Sequence, residues 1–308
     1  MMMSRAISRA FLNAYSENQP IRARLEGVAD LMRHGYIDNA WEVIQQLNQT
    51  ERQLQPLEWL SWACDRLEIL RPPPYDDPND VESIALDGLA RTVAVRAPTD
   101  VMIARSWAAT RVLVAFGGVG EAFWSVPPFL EVPNCHLVLL RDTTRLFHVA
   151  GIEGLGSIYA ECVVALHKLI RKLGATQVFI TGNSSGGYAA LRYALDLDAR
   201  GVLAFSPFTR INATEEELAK FPAVRPLSRS RPEMMEDLLP LYANHPKPPQ
   251  VIIVYGDKHA LDTEHALRMK NLANVTLEPV RGYDGHHAWA KLLDENKFRP
   301  LLKRLLSF

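Results

Sequence analysis

Gln177-Val178-Phe179-Ile180-Thr181-Gly182-Asn183-Ser184-Ser185-Gly186-Gly187-Tyr188-Ala189-Ala190-Leu191 decides how the rest of the chain is read. Its first five residues are a short run rich in β-branched and aromatic side chains, as in a buried strand. Its last residues start a helix, and between the two lies Gly-x-Ser-x-Gly. A strand that turns into a helix through this pentad is the context a nucleophile elbow requires. The tight turn crowds its neighbours, so Gly182 and Gly186 stand where side chains would clash. The serine is then lifted above the sheet, at the positive end of the following helix. Two serines are adjacent, so the frame matters. Ser184 has a glycine two residues away on either side, whereas Ser185 would have Asn183 and Gly187. Asparagine is the bulkier neighbour, which makes Ser184 the better nucleophile. Ser185, the next residue, then offers its backbone N–H to a developing oxyanion. A phosphate-binding turn is the rival reading. It would want G-x-G-x-x-G or G-x-x-x-x-G-K-S/T, and neither is present.

Outward from this stretch the alternation continues. Short apolar runs at Thr92–Arg96, Arg111–Phe116, Leu137–Leu140, Gly201–Phe205, Gln250–Tyr255 and Val275–Pro279 read as strands. Helical stretches are expected at Ser157–Leu173, Gly187–Leu195 and Thr263–Leu272, with a closing helix or helices over Ala288–Leu306. Continuous apolar strands separated by helices predict an α/β fold, a mostly parallel sheet with helices on both faces.

The first 70 residues read differently. Leu25, Val28, Ala29 and Met32 fall at helical spacing, as do Ala40, Val43, Ile44 and Leu47. Gly35 and Asp38 supply a stop and a cap between them, and a third helix is expected from about Pro56 to Leu70. Residues 71–80 hold four prolines and three acids, a stiff solvated linker. The expected organisation is a helical region over 1–75 and a larger domain over 76–308, with a cap or insertion at about 207–249. The piece Gly35-Tyr36-Ile37-Asp38-Asn39-Ala40-Trp41 resembles the turn between paired helices of tetratricopeptide-type repeats, without a second copy at a period of ~34 residues. That resemblance implies a docking or self-association surface. Packing on the larger domain is the plainer alternative.

Composition narrows the function classes. With 308 residues, one or two domains are expected. A content of 48% hydrophobic and 22% charged residues excludes a disordered or collagen-like chain. Lys plus Arg is 34 and Asp plus Glu 35, a net charge of -1, so there is no basic excess for nucleic acid or an anionic membrane surface. No apolar run approaches the ~18 residues of a membrane span, and the first residues lack the apolar core of a secretory signal. The three cysteines, Cys64, Cys135 and Cys162, are far apart and show no zinc-type spacing. They are expected to be reduced, in a cytoplasmic protein without a metal.

The segment Gly182-Asn183-Ser184-Ser185-Gly186-Gly187-Tyr188-Ala189-Ala190-Leu191 resembles the elbow of the α/β-hydrolase superfamily, in the branch with a G-x-S-x-G-G-Y-A-A-L elbow. The likeness covers roughly residues 90–308. It implies a triad in the chain order Ser, acid, His. It also implies a second oxyanion donor in the loop Gly117-Gly118-Val119-Gly120-Glu121. There Phe116 replaces the superfamily's His, and Gly118 is the implied donor. The acid is implied after the strand ending at Tyr255. His259 occupies the usual position, with Asp257 and Asp262 on either side. Asp257 is nearer the strand end, while Asp262 matches a D-x-x-H-A arrangement and also fits a helix N-cap. Both remain candidates. The base is implied in Gly282-Tyr283-Asp284-Gly285-His286-His287-Ala288-Trp289: His286 follows a glycine, and His287 is the fallback and a candidate pocket residue. A metal held by the adjacent histidines is disfavoured, because such side chains point apart and no H-E-x-x-H accompanies them.

Arg141 and Asp142 are expected to follow the strand at 137–140, at the carboxyl end of the sheet where α/β ligand sites lie. They are candidate contacts for a polar substrate, a surface ion pair being the alternative. The long stretch from Ser206 to Pro249 carries Arg225, Arg229 and Arg231 and an expected helix near Glu233–Leu239. In hydrolases of this type it is the place of a cap. The function implied is a serine hydrolase acting on a small-molecule, glycan or lipid ester through an acyl-enzyme, without a cofactor. The alternatives are a non-catalytic hydrolase-fold adaptor docking through its N-terminal helices, and an acyltransferase using the same triad.

Overall fold

The computed structural model describes residues 5–50, 55–69, 100–119, 122–124, 127–211 and 236–308. The linker expected at 71–80, the strand expected at Thr92–Arg96, and Gly120, Glu121, Arg225, Arg229 and Arg231 lie outside the described residues. The chain forms two compact units, Met1–Ala104 and Arg105–Phe308.

The first unit contains helices α1 (Arg5–Tyr15), α2 (Ile21–Arg33), α3 (Ile37–Thr50) and α4 (Gln55–Arg66) and strands β1 (Leu67–Ile69) and β2 (Val101–Ala104). Of the apolar positions read from the sequence, Val28, Met32, Ala40, Val43, Ile44 and Leu47 are buried, whereas Leu25 and Ala29 are only partly so. Val28, Leu31 and Met32 of α2 meet Ala40, Val43, Ile44 and Leu47 of α3 in the core. Tyr15 hydroxyl donates to Glu42 at 2.8 Å, tying α1 to α3. Helix α4, the one expected from about Pro56 to Leu70, stops at Arg66, because Leu67–Ile69 pairs antiparallel with Met102–Ala104.

The second unit is built on six parallel strands: β3 (Arg111–Val119), β4 (Cys135–Asp142), β5 (Gln177–Asn183), β6 (Gly201–Phe205), β7 (Gln250–Gly256) and β8 (Val275–Val280). They lie in the order β4-β3-β5-β6-β7-β8. Every residue of β4 and β6 is buried, which is why these strands read as continuous apolar runs. Half-buried β8 forms an edge and carries Pro279, whose missing N–H is tolerated there.

Among the described residues, the helices of this unit are the short α5 (Pro127–Leu130), α6 (Tyr159–Lys172), α7 (Ser185–Asp196), α8 (Leu238–Asn244), α9 (Ala260–Arg268), α10 (Ala288–Asp294) and α11 (Phe298–Leu305). Of the helix expected near Glu233–Leu239, residues 233–235 lie outside the described residues; α8 starts at Leu238, where Asp237 caps it by accepting from the Leu239 amide. Helix α9 starts earlier than the sequence suggests, because His259 caps it. No helix among the described residues is long and apolar enough to cross a membrane. Cys64, Cys135 and Cys162 are buried free thiols.

The chain leaves β3 toward β4 and returns past it to β5, so the carboxyl ends of β3 and β5 flank a topological switch point. Open α/β sheets bind ligands in that crevice. One further contact braces the region. Thr209, just beyond β6, donates its backbone N–H to Nδ1 of His265 on α9 at 3.1 Å. Burial holds this imidazole down to about 4, from an ordinary 6.5. The sign follows from linkage. Above pH 6.5 both folded and unfolded chains are neutral here; between 6.5 and 4 only the unfolded chain takes up the proton. Stability is therefore full above that window and is lost as pH falls through it, by roughly 3 kcal/mol at its foot. In urea unfolding from pH 7 to 4.5, wild type is expected to lose stability more steeply than His265→Asn, which has no proton to bind. Parallel losses would show that this site is not what the pH dependence reports.

Candidate active site

The elbow is built as the glycine spacing requires. Ser184 sits between β5 and α7 at φ 57° and ψ −122°, a strained conformation for a side-chain-bearing residue. Three backbone bonds hold it there. Its N–H donates to Phe205 O at 2.9 Å, and its carbonyl accepts from Gly187 N at 2.9 Å and Tyr188 N at 3.2 Å. Ser184 is half-buried, whereas Ser185 is fully buried in the first turn of α7. The Ser185 hydroxyl has no hydrogen-bond partner among the described residues.

His286 lies in the loop between β8 and α10. Its Nε2 is 2.8 Å from Ser184 Oγ, and its Nδ1 is 2.8 Å from Asp262 Oδ1. A carboxylate accepts only, so Nδ1 carries the ring proton and donates it to Asp262, which leaves Nε2 to accept from the serine. Asp262 is in the first turn of α9 and 2% exposed. The carboxylate thus reaches His286 from a rigid helix.

Asp257 does not reach the imidazole through any hydrogen bond among the described residues. Its Oδ1 accepts from the Gly282 amide at 2.7 Å, while Lys258 N donates to Tyr283 O at 3.0 Å. These bonds clasp the loop after β7 to the loop that carries His286. Asp257 is a positioning residue for that loop, and of the two candidate acids Asp262 is the one brought to His286. His287 is exposed at the N-cap of α10, its ring 5.7 Å from that of His286 and 6.3 Å from that of Trp289.

The glycines expected in a loop after Phe116 instead belong to β3, which runs to Val119. The register of β3 against β4 shifts between Phe116 and Val119, as in the bulges common beside active sites. Gly118 lies against the elbow: a Cβ there would stand 3.4 Å from Ser184 Cβ and 3.3 Å from Asn183 O. Arg141 and Asp142 are the last residues of β4, not part of a following loop, and both are buried. That corrects the surface ion-pair reading. Arg141 stacks its guanidinium 4.9 Å from the Phe123 ring centroid. Asp142 accepts from Thr144 Oγ1 at 2.6 Å and from the His148 amide at 3.4 Å. Fully buried His148, at φ 59°, in turn has Nε2 3.0 Å from Gly117 O. Asp142 therefore supports the bulged end of β3 through His148. The sequence reading missed His148, and nothing in the pattern around it marks a buried histidine with positive φ. It also missed a role for His259, although the i, i+3 spacing to Asp262 was a visible capping signal.

No protein-family model matches the chain, and no curated protein does. Among solved structures it is similar to the capsule O-acetyltransferase of Neisseria meningitidis serogroup A, with 14% identity over 64% of this chain and 90% of that one, at a TM-score of 0.48. It is similar to MenH from S. aureus, with 14% identity over 68% of this chain and 98% of that one, at a TM-score of 0.45. Est1E from Butyrivibrio proteoclasticus shows 14% identity over 68% of this chain and 94% of that one, at a TM-score of 0.44. A parallel sheet in the order β4-β3-β5-β6-β7-β8, with a strand–serine–helix elbow at its switch point, Asp262 after β7 and His286 after β8, has the architecture of the α/β-hydrolase fold.

Proposed function

We propose that the protein is a serine hydrolase that cleaves an ester-like acyl bond through an acyl-enzyme. One observation carries the reading: His286 lies 2.8 Å from both Ser184 Oγ and Asp262 Oδ1, with one ring nitrogen toward each. Ser184 passes its proton to Nε2 as its oxygen attacks the carbonyl, and His286 delivers that proton to the leaving group. Asp262 keeps the ring in the required tautomer and stabilises the imidazolium. The amides of Ser185 and Gly118 hold the oxyanion. A water then attacks the acyl carbon as it gives a proton to His286, and His286 returns that proton to Ser184 Oγ as the acyl–oxygen bond breaks. Short-chain carboxyl esters are the first substrates to try, and added acceptor alcohols distinguish transfer from hydrolysis by the products formed.

Fluorophosphonate labelling with mass mapping tests the reading. The adduct is expected on Ser184, retained in Ser185→Ala and lost in Ser184→Ala and His286→Ala. Asp262→Asn is expected to slow ester turnover about 10⁴-fold, since an amide favours the wrong tautomer. Asp257→Asn keeps an oxygen for the Gly282 amide and is expected to stay within about tenfold of wild type. An absent adduct, or equal losses in the two Asp variants, would overturn the assignment.

A further inference from the structure

The reaction just proposed has no use for His259, yet His259 is as close to the acid as His286 is. Its Nδ1 lies 2.9 Å from Asp262 Oδ1, and His286 Nδ1 lies 2.8 Å from the same oxygen. The two rings are 5.4 Å apart. One ligand atom from each of the three residues falls within 4.8 Å of the other two. The other carboxylate oxygen, Asp262 Oδ2, is buried with no hydrogen-bond partner among the described residues. A buried carboxylate with an idle oxygen is a charge short of compensation. Both imidazoles keep more than a quarter of their side-chain surface, at 29% and 27%, so the cluster is open on one side.

We propose that His259, Asp262 and His286 bind a divalent transition metal of the zinc type, and that this ion switches the catalytic centre off. Two imidazole nitrogens and one carboxylate are a zinc donor set, with a fourth position left for water. Magnesium and calcium, which prefer all-oxygen shells, suit it poorly. The blocking half of the proposal rests on the serine-hydrolase reading; the binding half does not. A neutral imidazole has one proton. When the metal takes Nδ1 of His286, that proton resides on Nε2 and points at Ser184 Oγ. The nitrogen that should accept the serine's proton has become a donor. No covalent bond is made to the protein, and removing the ion returns the proton to Nδ1. His259 gives up a 3.3 Å bond from the Asp262 amide to its Nδ1, and the ion takes the place of its 2.9 Å contact with Asp262 Oδ1.

The test uses the full chain and Zn²⁺ itself. Equilibrium dialysis reads stoichiometry, Co²⁺ absorption reads coordination geometry, and the fluorophosphonate labelling rate is followed with Zn²⁺ and then with EDTA. His259→Ser keeps a capping oxygen for α9 while removing the metal ligand. One Zn²⁺ per chain is expected, with labelling slowed in step with occupancy and restored by EDTA. Binding to His259→Ser should be at least ~10-fold weaker. The proposal is overturned by absent stoichiometric binding, by equal affinity in the variant, or by a labelling rate indifferent to bound zinc. A wild type that resists labelling even in EDTA overturns the hydrolase reading instead, and the dialysis of wild type against His259→Ser then decides the metal site alone.

Discussion

Ser184→Ala is expected to lower kcat/KM for an ester by about 10⁴ to 10⁶-fold, and adding His286→Ala is expected to cost almost nothing more. The reason is geometric. In the proposed mechanism the 2.8 Å bond from Ser184 Oγ to His286 Nε2 carries the proton, so either residue without the other has no partner for the step. Removing one already removes the unit. On the proposed mechanism, the backbone amides of Ser185 and Gly118 survive the substitution and keep a residual acceleration over water. The alanine keeps the backbone conformation at residue 184, so unfolding midpoints are expected to stay close to wild type. Steady-state ester hydrolysis of both single variants and the double variant, with unfolding as a control, checks this. Losses that multiply in the double variant would mean that the two side chains act independently, and the triad assignment would fail.

How much of this could be read from sequence depends on the range over which each feature is decided. The elbow is local: two glycines, a serine and a strand–helix change within a few residues fix it, and it was legible. The strands that carry the sheet were legible as well, because β3 to β7 are buried along almost their whole length and show as unbroken apolar runs. Leu67–Ile69 was not. Ala63, Leu67 and Leu70 continue the helical spacing, and only the pairing with Met102–Ala104, more than thirty residues on, makes the three residues a strand. The matching signal, the four-residue apolar run Val101–Ala104, was present and went unused.

The candidate site divides the same way. Ser184 and His286 announce themselves by their neighbours. The choice of acid does not, since Asp257 and Asp262 are five positions apart in one loop and both follow β7. Which of the two reaches His286 depends on where α9 begins. With His259 as cap, Asp262 falls in the first helical turn and faces inward, while Asp257 stays behind on the strand end and takes the Gly282 amide. The support of Gly117 by Asp142 and His148 is wholly non-local. It runs from the end of β4 through a loop whose residues 147–149 are buried and back to β3, and no spacing rule connects these residues.

The second large effect is structural, at Gly182. An alanine Cβ there would stand 2.5 Å from the carbonyl carbon of Gly186, nearer still to its oxygen, and 3.0 Å from Ala190 Cβ. The first two obstacles are backbone, so no rotamer change relieves them. Nor can the turn back away. A Cβ on Gly186 would meet the carbonyls of Phe116 and Gly117, which means that the first turn of α7 is already pressed against β3 on its other side. Relief requires prising α7 off the sheet or opening the turn that holds Ser184. Gly182→Ala is therefore expected to cost about 3 kcal/mol or more and to abolish fluorophosphonate labelling. Gly174→Ala is the control: its Cβ would meet nothing within 4 Å, and only its φ of +74° is unfavourable. That costs about 1 kcal/mol and leaves labelling intact. Urea unfolding and labelling of the two variants side by side separate steric crowding in the elbow from the general cost of replacing a glycine. Equal midpoints would mean that β5 and α7 have room to part, and a serine held so loosely would not keep its 2.8 Å approach to His286.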